Sequence, residues 1–412
     1  MTSSDKSVSQ FSNAKSSRPF WMRAVNTVGR LSPNFMRPSA AQWWKSAQKS
    51  KPEAGDPEHA TSEALSALTQ SINTDAKLNL IGRISAADDT VRMAKNHLRI
   101  NQLLRERPEI LNTELPEPVF IIGLPRTGST VLHLLMSQDP VHRTIPYWES
   151  FDPIPPVNKL DRRPQKVEKM LDQLASLAPD YHAIHPMEAN MPEECVALFM
   201  NEMRTLQFDI QYHIPGYVSW LLAQDTQIAY QLYLQQLKII QYFRPAGQRL
   251  VLKDPTHTVH LSTVLAVFPK AKIIFTHRDP VKTISSICSL YAHTRAIFSD
   301  EVNPFDIGAE IQQGYWPEAI SSSQLIRAQL PKEQYADICQ ADLARNPMGA
   351  MQSLYQHLGF EFDETVQAAM QAFLDKDAAE HAKAHHYSPE GFGLSAGGLR
   401  EQFADYIEAF DL

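Results

Sequence analysis

The 412-residue chain carries a formal charge of -7 and a sequence pI near 6.1, so its net charge gives no electrostatic reason to expect nucleic acid or an anionic membrane surface as its main partner. No run of eighteen or more apolar residues occurs, so no membrane-spanning helix is expected, and the polar stretch "MTSSDKSVSQFSNAKSSRPFW", without the apolar run and small-residue cleavage site of a secretory signal, is not expected to act as one. Cys195, Cys288 and Cys339 lie far apart without metal-ligand spacing, so free thiols are expected, no metal site is expected, and the reading is a cytoplasmic protein.

Residues 1–56 are rich in Ser, Lys, Ala and Pro with isolated rings at Phe20, Trp21, Trp43 and Trp44, which predicts a flexible, loosely ordered arm that docks through those rings. Across residues 57–114 apolar side chains recur at helical spacing and predict a helical N-terminal layer. "LNTELPEPVF" breaks that pattern and opens the main domain, residues 115–412. There a short apolar strand, Val119 to Ile122, runs into a glycine turn and then a helix from about Gly128 to Gln138. Further strands are read in "RLVLKDP", ending at Lys253, and at Ile273 to Thr276, with a crossover helix over Leu261 to Phe268 between them. Apolar strands alternating with helices predict an α/β fold, a parallel sheet covered on both faces. Residues of about 150–247 form a mostly helical insertion rich in His, Met, Tyr and Trp, where an acceptor pocket would sit over the strand ends. After residue 300 the chain reads as helical to "QHLGF" and closes with a glycine-punctuated tail.

The turn "GLPRTGST" carries the first chemical signal. Gly123 and Gly128 keep the spacing of a phosphate loop and Thr130 keeps its hydroxyl, but Ser129 stands where the lysine belongs. A backbone cradle at a helix N-terminus needs no lysine, since free N–H groups and the helix dipole already favour an anion. Arg126, inside the turn, supplies a planar donor for two oxygens. Such a loop suits one phosphate bearing a leaving substituent better than a triphosphate with magnesium.

These residues resemble the 5′-phosphosulfate loop of sulfotransferases that use 3′-phosphoadenylyl sulfate (PAPS), especially bacterial members of about this length. The family's second motif, an arginine closing a strand and a serine eight residues later, is matched in "IIFTHRDPVKTISSICSLY" by Arg278 and Ser286. The resemblance implies a P-loop-like fold and PAPS as co-substrate, with PAP left as product. It implies donor binding by Arg126, Thr127, Gly128, Ser129, Thr130, Arg278 and Ser286, and by Arg400 from the tail. It also implies transfer to the hydroxyl of a small-molecule or lipid-like acceptor, with Lys253 on the leaving oxygens and either Glu149 or His257 as the base. Glu149 is preferred because "LKDP" is closer to the glutamate-using branch. His185 and Glu188 are further candidates for the acceptor pocket. A nucleotide kinase, or a nucleotide-binding module without turnover, is the competing reading.

Overall fold

The computed structural model describes residues 18–32, 35–50, 57–177, 187–380 and 388–412. Five parallel strands form the central sheet: β1 (Glu117–Gly123), β2 (His142–Arg143), β3 (Arg249–Lys253), β4 (Lys272–His277) and β5 (Tyr335–Cys339), in the spatial order β2-β3-β1-β4-β5. Within β1 the four residues Val119 to Ile122 are all buried, because both faces of the strand are covered. Phe120 and Ile122 pack with Leu250, Leu252, Ile273 and Phe275 beneath helices Gln227–Phe243 and Leu261–Val267. Val119 and Ile121 face Leu132, Leu135 and Met136 of the loop helix, together with Val251 and Ile274. Alternate side chains of one strand thus feed two cores, as expected of a parallel sheet with helices on either side.

The three strands read from sequence are present, and the register sets Ile121 opposite Lys253 and Gly123 opposite Thr276. The phosphate-loop turn, Lys253 and Arg278 therefore leave the sheet at the same edge. Both strands that sequence reasoning missed lie at the rims of the sheet. β2 is only two residues long. β5, "YADIC", interrupts the stretch after residue 300 that reads as wholly helical; its polar Asp337 faces outward, and a helix, Gln340–Arg345, begins directly behind it. Such a half-exposed five-residue strand has too little period-two signal to stand out.

The N-terminal segment also departs from expectation. The described part of the predicted loose arm forms two helices, Phe20–Leu31 and Ala40–Gln48. Trp43 and Trp44 are buried with Leu65, Leu68 and Met93 of the helical layer and with Met200, Met203 and Phe208 of the insertion. Burying two indoles and Met22 supplies the apolar area that orders this stretch despite its polar composition. Phe20 and Trp21, in contrast, remain exposed.

Candidate active site

Main-chain geometry builds the loop. Gly123 has φ 136° and a Cβ there would fall 2.5 Å from the Thr276 carbonyl oxygen, so only glycine lets β1 turn this close to β4. Arg126 is held at φ 71°, in the left-handed region that non-glycine residues adopt at a cost. Gly128, at φ 85°, is the N-cap of helix Ser129–Met136. The first intrahelical bond runs from Leu132 N to the Gly128 carbonyl at 3.1 Å, so the N–H groups of Ser129, Thr130 and Val131 stand ahead of the ladder at the positive end of the helix.

Around this turn the structure joins both motifs. Arg278 Nη1 donates to the Arg126 carbonyl at 2.6 Å, and Arg126 Nε donates to Ser286 Oγ at 3.2 Å. The Asp279 side chain accepts from Val281 N and starts helix Pro280–Phe298, which carries Ser286 two turns in. Two guanidiniums thus stand side by side, and the nearby Arg126 charge, after burial, lowers the pKa of Arg278. Arg278 Nε is buried without a hydrogen-bond partner. A pair of like charges with an unmet donor, beside a helix N-terminus, fits an anionic ligand. Thr127 contributes differently: its buried hydroxyl donates to the Leu124 carbonyl at 2.7 Å and meets Thr276 Oγ1 at 2.6 Å, so the side chain braces the turn. Arg400 is exposed and faces Asp279 Oδ2 at 3.7 Å, next to Arg278 but outside the cleft wall.

From the loop a cleft of about 510 Å³ extends across the strand ends. Its wall joins Arg126, Gly128, Ser129, Thr130 and Arg278 to Tyr147, Phe151, Met170, Leu174, Met200 and Phe298, and also carries Asp88, Asp89 and Arg92, the last over the Phe151 ring at 3.9 Å. Neither expected base lies on its wall. Glu149 sits on the short helix Tyr147–Phe151, where Tyr147 and Phe151, four residues apart, turn toward the cleft and Glu149 between them turns away. Its carboxylate accepts from Arg143 Nη2 at 2.9 Å and from Arg244 Nη1 at 3.2 Å. That is a buried ion pair holding the helix to β2. Glu149→Gln should therefore lower stability by about 3 kcal/mol, since it strands the buried Arg143, while the surviving folded fraction keeps its affinity for the product nucleotide; urea unfolding and calorimetry together check this.

His257 is also absent from the wall, although Pro255 and Thr256 just before it line the cleft. It is fully buried among Phe120, Phe199, Tyr230 and Tyr233, with Nδ1 2.7 Å from the Tyr230 hydroxyl. Burial, reinforced by neighbouring His260, pushes its pKa down to about 3. Its Nε2 is buried without a hydrogen-bond partner among the described residues. His185 falls outside the described residues, and Glu188 is exposed and absent from the cleft wall.

The carboxylates that reach the cleft are Asp88, Asp89, Glu193, Glu194 and Asp254, and the last three act on Lys253. The segment carrying Glu193 and Glu194 is laid across the strand ends by backbone bonds: Glu193 N donates to the Ile145 carbonyl at 3.1 Å and Cys195 N to the Lys253 carbonyl at 3.0 Å. Lys253 Nζ then donates to Glu194 Oε1 at 2.6 Å. Burial alone would lower the Lys253 pKa, but the Glu194 and Glu193 carboxylates outweigh it and hold it above its ordinary value. Asp254 is driven the other way for a carboxylate: burial, then the Glu194 charge, raise it to about 7. Sequence reasoning missed this pair although "MPEEC" contains it. Adjacent carboxylates among methionines and aromatics were the available signal, but only the fold shows that this segment meets β3.

The sequence model of the sulfotransferase family matches residues 118–364, a span from β1 through β5 and the helices that follow it. The chain belongs to the sulfotransferase family. This sulfotransferase is 26% identical over 278 residues to omega-hydroxy-beta-dihydromenaquinone-9 sulfotransferase Stf3 of Mycobacterium tuberculosis, a match covering 64% of this chain and 67% of that protein. Among solved structures it resembles sulfotransferase STF9 from Mycobacterium avium, with a TM-score of 0.82 at 23% identity, covering 91% and 97% of the two chains. It also resembles sulfotransferase STF1 from Mycobacterium tuberculosis, with a TM-score of 0.74 at 26% identity, covering 90% and 99%. The sulfotransferase fold thus accounts for both the sheet and the flanking helices.

Proposed function

We propose that the sulfotransferase takes PAPS at the loop in the cleft and transfers its sulfuryl group to the hydroxyl of a lipid-like acceptor lying against the apolar side chains. The observation that carries this reading is one cleft whose lining joins the cationic, glycine-turned loop to methionine and aromatic side chains, with Glu194 on its wall and the buried Lys253 bonded behind it. The similarity to Stf3, whose name states a lipid quinone alcohol as acceptor, supports the acceptor class.

In this reading the N–H groups of Ser129 and Thr130 and the Arg126 guanidinium hold the phosphate that bears the sulfuryl group. Arg278 and Ser286 hold the second, ribose-borne phosphate, Arg278 through the donor that lacks a partner. Glu194 accepts the acceptor's hydroxyl proton while the new S–O bond forms. Lys253, freed of charge balance as Glu194 becomes neutral, stabilises the phosphate oxygen that keeps the electron pair of the breaking S–O bond. Thus the short Lys253–Glu194 pair couples proton removal to leaving-group stabilisation. Calorimetric titration with PAP tests the donor half: tight binding without added magnesium is expected, and an absence of binding would remove the basis of the assignment.

A further inference from the structure

We propose that the outer face of helix Phe20–Leu31, continued by Phe35 and Met36, is a docking surface for an anionic lipid bilayer. Met22, Asn26 and Gly29 face the protein, which leaves Phe20, Trp21, Ala24, Thr27, Val28 and Leu31 on the opposite side of the helix. Of these, Phe20 is 79% exposed, Val28 61% and Leu31 82%, and Phe35 beyond the helix is 58% exposed. A row of large apolar side chains turned to water on one helix face is unlike the scattered exposed residues of an ordinary surface.

Charge selects the occupant. Residues 18–50 contain Arg18, Arg23, Arg30, Arg37, Lys45 and Lys49 and no aspartate or glutamate, in a chain whose total is -7. Arg23 and Arg30, seven residues apart, flank the apolar face on one side, and both are exposed, as is Arg37. Among the described residues, Asp300 is paired with Arg18 and Arg30, and Glu301 with Lys77. Exposed rings and aliphatic side chains bordered by arginines describe a helix that lies in the headgroup layer.

The patch is tied to the cleft by the long helix Leu80–Glu106. Its first turn carries the N-terminal helix: Ile81 N donates to Asn26 Oδ1 at 3.1 Å, and Arg83 Nη2 donates to the Gly29 carbonyl at 3.0 Å. Its next two turns place Ser85, Asp88, Asp89 and Arg92 on the cleft wall. The cleft wall thus begins at Ser85, about one helical turn or roughly 6 Å along the axis from Ile81, which holds the inner side of the N-terminal helix. An acceptor dissolved in the bilayer would have a short path to Phe298 and Met200. The docking surface stands on its own observations; only this route relies on the lipid-like acceptor.

Co-sedimentation of the full chain with phosphatidylcholine vesicles, with and without about a third phosphatidylglycerol, tests the proposal. Partition onto the anionic vesicles alone is expected, falling at least about tenfold in a Phe20→Ser, Leu31→Ser double variant and by a similar factor in an Arg23→Glu, Arg37→Glu variant. The charge variant touches no buried residue, so it remains decisive if the apolar one folds poorly. Unaltered PAP affinity and unaltered turnover of a short-chain soluble alcohol would locate the loss at the membrane step and leave the sulfotransferase reading untouched. Failure of the wild-type chain to bind anionic vesicles, equal binding by both variants, or a wild-type dimer that the apolar substitutions dissociate would overturn it, the last by assigning the face to a second copy.

Discussion

Glu194→Gln is expected to lower turnover by a factor of about 10² to 10⁴, the usual contribution of a positioned general base, while leaving PAP affinity within about threefold. Glutamine keeps the shape of the side chain and an oxygen that accepts from Lys253, but it removes the countercharge of that buried ammonium, so urea unfolding run alongside separates lost stability from the lost proton acceptor. Glu194 lines the cleft and meets Lys253 at 2.6 Å, whereas Glu149 is closed off by two arginines and His257 by a shell of rings. Single-turnover kinetics with preformed donor complex would read the chemical step directly. A loss of the same size in Glu149→Gln, with stability intact, would return the role to the residue that sequence reasoning preferred.

Arg278→Ala should show the opposite pattern. Its guanidinium closes the donor end, bonds the Arg126 carbonyl at 2.6 Å and keeps a buried Nε without a partner. Removing a charged, largely desolvated partner of a phosphate costs about 2 to 5 kcal/mol, so PAP affinity should fall by about 30-fold or more. Adenosine 5′-phosphosulfate, which lacks the 3′-phosphate, should bind wild type and variant almost alike. That comparison distinguishes loss of the second phosphate contact from collapse of the loop, because collapse would weaken both ligands. Adding back Lys at 278 should restore only part of the affinity, since a point charge replaces a planar fork.

Much of this arrangement is visible in the sequence because local constraints write it there. Gly123 and Gly128 are required by positive φ, the run Val119 to Ile122 by burial on both faces, and Asp279 by the need to start the helix that carries Ser286. These features act within a few residues, so spacing reveals them. The acid–base pair is different. Lys253 closes β3, but Glu194 reaches it from an insertion about sixty residues earlier, through two backbone bonds that no local pattern announces. The resemblance points to Glu149, yet one residue's rotation on a five-residue helix decides whether a carboxylate faces the cleft or the Arg143 side. Net charge was similarly uninformative about surfaces: -7 for the chain conceals a stretch, residues 18–50, without one acidic residue.

In the proposed reaction one cleft brings a sulfuryl donor and a lipid alcohol together at Glu194. The most direct measurement follows a labelled sulfuryl group from PAPS onto a long-chain isoprenoid alcohol presented in detergent micelles, with wild type and Glu194→Gln run side by side. The account predicts one labelled sulfate ester formed per PAP released by wild type, and a rate at least about a hundredfold lower in the variant. Equal rates in the two proteins, or PAP release without any labelled lipid product, would contradict it.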